Sequence, residues 1–193
     1  MHDDLVYLDY AATSAVRPPA VARSITDWLT TNGASPGRGG HRLAVEAGRL
    51  ALRCRHALAD LLHIPGDPGR ITFQLNATHA LNTALFGVLQ EGDVVVTTPY
   101  EHNAIVRPLH VLRRTRGVEV REIPADSDGT LDLDVARDQL RGARLLAVTA
   151  ASNVLGTATP LDELAAAAHA GGALVLVDAA QAAGSLPLDV AAL

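Results

Sequence analysis

The sequence predicts an α/β domain in which a mostly parallel sheet is covered by helices. Three observations carry this. From about residue 70 onward, short β-rich runs alternate with helical ones, the βαβα rhythm of a parallel sheet joined by crossover helices. Apolar residues make up 48% and charged ones 19%, but aromatics only 3%, so the core is built from Ala, Val and Leu, as where helices pack closely on a buried sheet. Turn-forming pairs fall between the runs: Gly92-Asp93, Arg116-Gly117, Asp128-Gly129 and Gly171-Gly172.

Taken in order, residues 6–9 read as a short extended piece and 20–31 as a helix closed by Asn32-Gly33. A glycine-rich loop at 35–40 precedes a long helix over 43–62 that Pro65-Gly66 stops. Strand-like runs then follow at 71–74, 94–97, 118–123, 145–149 and 173–177. Helical runs at 80–89, 104–115, 133–140 and 161–168 separate them, and Pro160 suits the first turn of the last helix. Residues 1–70 form an N-terminal arm with helices, and 71–193 a sheet domain.

With 193 residues the chain is long enough for one sizeable buried core. A net charge of −5 with interspersed signs argues against a nucleic-acid groove and favours a small molecule or another protein. The start Met1-His2-Asp3-Asp4 lacks the basic and apolar regions of a signal peptide. The apolar stretch 164–177 is broken by His169 and Gly171-Gly172, so no membrane span is expected and the compartment reads as cytoplasmic. The lone Cys54 sits in a helical pattern and reads as an ordinary helix residue. There is no lysine at all: the sixteen basic residues are arginine. A compositional bias accounts for such a surface but cannot supply a lysine nucleophile.

Four polar clusters follow successive strands. Asn76-Ala77-Thr78-His79 opens a helix whose N-terminal N–H groups can hold a phosphate, with the Thr78 hydroxyl as a further donor, although Asn or Thr there also serves as a simple cap. Glu101-His102-Asn103 places an imidazole where it could stack on a flat ligand or move protons, or merely be solvated. Ser152-Asn153-Val154-Leu155-Gly156-Thr157 offers an amide. Asp178-Ala179-Ala180-Gln181 puts a carboxylate at a strand's carboxyl end, where it could meet a ring nitrogen or a metal, or cap a turn. The histidines have no metal-ligand spacing and no cysteine cluster accompanies them.

These clusters, with Tyr7-Leu8-Asp9-Tyr10-Ala11-Ala12-Thr13, Ser35-Pro36-Gly37-Arg38-Gly39-Gly40-His41 and Gly184, occur in an order that resembles the class V aminotransferase family of pyridoxal-phosphate enzymes, most closely the cysteine desulfurases. The resemblance implies the large domain of the fold type I pyridoxal-phosphate transferases, with pyridoxal 5'-phosphate as cofactor. It implies that Ala77 and Thr78 grip the phosphate, that His102 and Ala180 flank the ring, and that His102 takes part in catalysis. Asp178 would pair with the ring nitrogen, and Gln181 and Asn153 would bond near the ring oxygen. Ala11, Arg38 and His41 would border the substrate entrance, in this family often shared across a homodimer.

The activity implied is sulfur removal from L-cysteine, giving alanine and an enzyme persulfide that a sulfur-acceptor protein can discharge. A related amino acid is the alternative substrate; another class V aminotransferase or lyase, or a non-catalytic cofactor-binding subunit, is the alternative function. Ala77 and His79 stand where the family commonly has Thr and Glu, and Ala150 where it commonly has His. The family's Schiff-base lysine, catalytic-cysteine loop and C-terminal domain are not among these residues. Catalysis is therefore expected to need a complementary C-terminal half, from the same gene or a second chain.

Overall fold

The computed structural model describes residues 6–193, so the reading of Met1 to Asp4 lies outside the described residues. Two compact units are present, one ending at Ile71 and the other spanning Thr72–Leu193. In the first, α1 (Pro19–Thr31) begins on a proline suited to a helix's first turn. The second helix, α2 (Arg42–Leu61), starts where the His41 ring accepts a hydrogen bond from the Ala44 N–H. A short 3₁₀ turn, Pro68–Arg70, closes the unit, and Arg55 Nε donates to the Ile71 carbonyl. Residues 6–9 carry no strand assignment.

The second unit holds β1 (Val94–Thr97), β2 (Glu119–Glu122), β3 (Leu145–Thr149) and β4 (Leu174–Asp178). They form one wholly parallel sheet in the order β2-β1-β3-β4. The sequence places β1 and β3 at their observed limits; β2 is shorter by a residue at each end, and β4 runs one residue later. The expected strand at 71–74 is not one. No described strand pairs with it, and an extended run forms a ladder only where a neighbour supplies the other half.

Helices bury the sheet: α3 (Ala77–Val88) leads into β1, and α4 (Asn103–Arg116), α5 (Leu133–Gln139) and α6 (Leu161–Ala170) cross over between successive strands. All five residues of β3 are buried, as befits a strand covered on both faces. One apolar cluster joins Leu81, Leu85 and Leu89 to Ile105, Leu109, Leu112 and β1; another joins Leu140, Leu146, Val148, Leu164 and Ala168. Arg116 ties α4 to α3 by donating to the carbonyls of Phe86 (2.9 Å) and Leu89 (2.6 Å). A cation there also suits the negative end of α3. The close approach of Gly171 to the Leu140 carbonyl leaves no room for a side chain, since a Cβ would lie 2.9 Å from that oxygen. No described helix is long and apolar enough to cross a membrane.

Candidate functional site

A parallel sheet brings every strand's carboxyl end to one edge. The order β2-β1-β3-β4 reverses chain direction of growth between β1 and β3, so a crevice opens where their connections part to opposite sides. A cavity of about 680 Å³ lies at this position, lined by residues 99–103 after β1, by residues 125–127 and Gly129 after β2 and by residues 153–155 after β3. His102 and Asn153 both face it. His102 also lines a second cavity of about 360 Å³ together with Thr78, Asn82 and Arg107. His102 and Asn103 thus border both the strand-end crevice and the cavity at the start of α3.

Local structure explains each placement. Asn76 is the N-cap of α3, its Oδ1 accepting from the His79 N–H at 2.9 Å. Among the described residues no hydrogen bond takes the N–H of Ala77 or of Thr78, so two donors remain at the positive end of the helix. His79 itself turns to Gln74, Nδ1 to Oε1 at 2.6 Å. His102 caps α4: its Nδ1 accepts from the Ala104 N–H at 3.1 Å. A nitrogen that accepts carries no proton, so the ring's N–H lies on Nε2. Asn153 sits in a turn organised by Ser152, whose Oγ accepts from the N–H groups of Val154 and Leu155.

Asp178 ends β4 and is 7% exposed. Its Oδ1 accepts from the Ala180 N–H at 3.0 Å, which turns the chain and sets out Ala180 and Gln181 just beyond the strand. The Asp178 carbonyl accepts from the Ala150 N–H at 2.9 Å and from Thr149 Oγ1 at 3.4 Å, locking the ends of β3 and β4 together. Ala11, Arg38 and His41 belong to the first unit and are exposed there.

One group escaped assignment from sequence. Glu101 lies inside the predicted Glu-His-Asn cluster, yet only the fold reveals its setting. Its Oε1 accepts from Thr98 Oγ1 at 2.6 Å and from the Thr149 N–H at 3.0 Å, while Oε2 is buried without a partner. Burial pushes its pKa up to about 7 against the opposing bonds from Thr98 and Thr149, and the nearby Asp178 charge adds to the rise. The available signal was its place four residues beyond the end of the valine-rich strand run 94–97.

Comparison with known proteins agrees with this architecture. The family model described as aminotransferase class-V matches residues 6–193, and the chain belongs to that family. It is 39% identical over 194 residues to a cysteine desulfurase of Yersinia pseudotuberculosis, covering 98% of this chain and 47% of that protein. The apo structure of cysteine desulfurase from Thermococcus onnurineus NA1 superposes with a TM-score of 0.91 at 33% identity, over 98% of this chain and 47% of that one. A C-DES mutant with glycine covalently linked to its PLP cofactor matches with a TM-score of 0.81 at 26% identity, over 98% of this chain and 50% of that one. The chain spans about half the length of the curated relatives it matches.

Proposed function

We propose that this chain forms the cofactor cradle of a pyridoxal 5'-phosphate enzyme of the cysteine desulfurase type, which takes sulfur from L-cysteine to leave alanine and an enzyme persulfide. The observation that carries the reading is the position of His102, shared by the crevice that holds Asn153 and the cavity that reaches Thr78. The residues suit the cofactor's parts. The unbonded N–H groups of Ala77 and Thr78, with the Thr78 hydroxyl, suit a phosphate at a helix's positive end. His102 and Ala180 suit the two faces of a flat ring. Asp178, buried and fixed through Ala180, suits a protonated ring nitrogen, because an adjacent negative charge raises the affinity of that nitrogen for its proton. Asn153 and Gln181, each shortly beyond the carboxyl end of a strand, suit the ring oxygen. Bound there, the cofactor supplies the electron sink for bond cleavage next to the amino group.

The same reading assigns Ala11, Arg38 and His41 to a substrate entrance completed in a homodimer, and the enzyme to cytoplasmic sulfur metabolism with a sulfur-acceptor protein. The outer edge of β4 has no neighbour among the described strands, and Leu174 on it is 45% exposed. Unpaired backbone and apolar surface favour a complementary C-terminal half on that side. Co-expression with such a half, carrying a lysine and a nucleophilic cysteine, should yield a visible cofactor band and convert L-cysteine to alanine and, with a thiol reductant, sulfide. A complex that shows neither the band nor the products would refute the assignment.

A further inference from the structure

We propose that Glu101 is a positioning residue: its carboxyl clasps the Thr98 hydroxyl and the Thr149 backbone N–H, closes the gap where β1 and β3 part, and so sets the place of His102 relative to Asp178. The argument begins with the ladder. β1 and β3 pair only at Val95 with Leu145 and Val96 with Leu146, whereas β3 continues beside β4 to Thr149 and Asp178. The Ala150 N–H donates to Asp178 on the β4 side. Backbone groups alternate sides along a strand, so the Thr149 N–H faces β1, and there β1 has already turned away towards Pro99. A buried N–H without a partner is costly. Glu101 Oε1 supplies the missing acceptor at 3.0 Å, 48 residues away in sequence. Its second bond, from Thr98 Oγ1 at 2.6 Å, holds the loop that delivers the neighbouring His102.

The clasp couples to charge. The titratable groups around the Glu101 carboxyl are Asp178 from the end of β4 and Tyr100 and His102 from its own loop. The Glu101 carboxyl is buried and Asp178 is close enough to oppose its ionisation. The Thr98 hydroxyl and Thr149 N–H are bonded whichever form is present. What changes near neutral pH is the charge beside Asp178, and this consequence rests on the cofactor reading given above.

Two measurements on the full-length protein test it. In ¹H–¹⁵N spectra without cofactor, the Thr149 amide should titrate with a midpoint near 7, and this titration should vanish in Glu101→Gln, which retains an acceptor oxygen but no acidic proton. A wild-type amide that stays flat between pH 5 and 9, or a titration that survives in Glu101→Gln, overturns the assignment of Glu101, whether or not a cofactor binds. With pyridoxal 5'-phosphate added, Glu101→Ala should stay folded by far-ultraviolet circular dichroism but bind at least about tenfold more weakly, with Glu101→Gln recovering most of the affinity. The visible circular dichroism of the bound cofactor should change with pH near 7 in wild type and not in Glu101→Gln. Wild-type affinity and an unchanged band in Glu101→Ala would overturn the positioning role. Failure of the wild type to bind even with a lysine-bearing complementary half present would instead refute the cofactor reading, and the amide titration then decides on Glu101.

Discussion

Glu101 and Asp178 are both carboxyls at the carboxyl edge of the sheet, but their surroundings separate them. Asp178 has a backbone donor at 3.0 Å. Glu101 keeps one oxygen in a clasp and buries the other unpartnered, and its pKa rises from 4.5 to about 7. The sign of the effect on stability follows. Because the folded state holds this proton more tightly than the unfolded chain, its contribution is complete below about pH 4.5 and is lost as pH rises through about 7. The shift corresponds to a loss on the order of 3 kcal/mol across that window. Urea titrations at pH 5 and pH 8 should show Glu101→Gln losing less stability than wild type over this interval; equal losses would show that the carboxyl does not hold its proton. His102, Asn153 and Asp178 are legible in the sequence because a polar residue just past an apolar run declares itself. Glu101 is not, since its role exists only because two strands diverge and leave one N–H without a ladder.

At the level of elements, α3 carries the clearest local signature. Asn76 stands ahead of the helix and its side chain takes the third N–H of the first turn, while the two donors before it, on Ala77 and Thr78, stay open. Asn76→Ala should remove that cap and cost about 1 kcal/mol in urea-induced unfolding. If Asn76 instead served only as a spacer, the variant would unfold at the wild-type denaturant concentration. Helix α4 shows where local rules yield to packing. Pro108 lies inside it and is buried, against the usual exclusion of proline from helix interiors, yet the helix runs from Asn103 to Arg116, held by Ile105, Leu109 and Leu112 in the core. The run at 71–74 shows the converse. Its residues have strand-like composition, but composition cannot supply the partner that a strand requires.

On the scale of the whole molecule, the parallel order β2-β1-β3-β4 does two things at once. It collects the strand-end residues on one edge, and it leaves β2 and β4 as the outer strands among those described. β2 reads Glu-Val-Arg-Glu, a charged strand that discourages further pairing, whereas β4 reads Leu-Val-Leu-Val-Asp and lacks that protection. The absence of lysine is likewise a property of the chain as a whole. Borohydride reduction in the presence of pyridoxal 5'-phosphate should leave a covalent pyridoxyl group on no side chain of these 193 residues, only on the α-amino group, with any further adduct on a complementary half. Mass spectrometry of the separated chains would detect a side-chain adduct here, which would contradict the assignment of the covalent anchor to other residues.

The sequence by itself determined the α/β class, the limits of β1 and β3, the chain positions of the polar clusters and the lack of a lysine. These are local matters of period, turn chemistry and residue type. The tertiary structure alone decided that residues 71–74 lack a strand partner, that His102 joins two cavities, and that Glu101 bridges β1 to β3 beside Asp178. Each depends on which segments lie next to one another at the sheet's edge. Hydrogen-bond partners 48 residues apart and the burial that moves a pKa are set by that adjacency, which no short stretch of sequence contains.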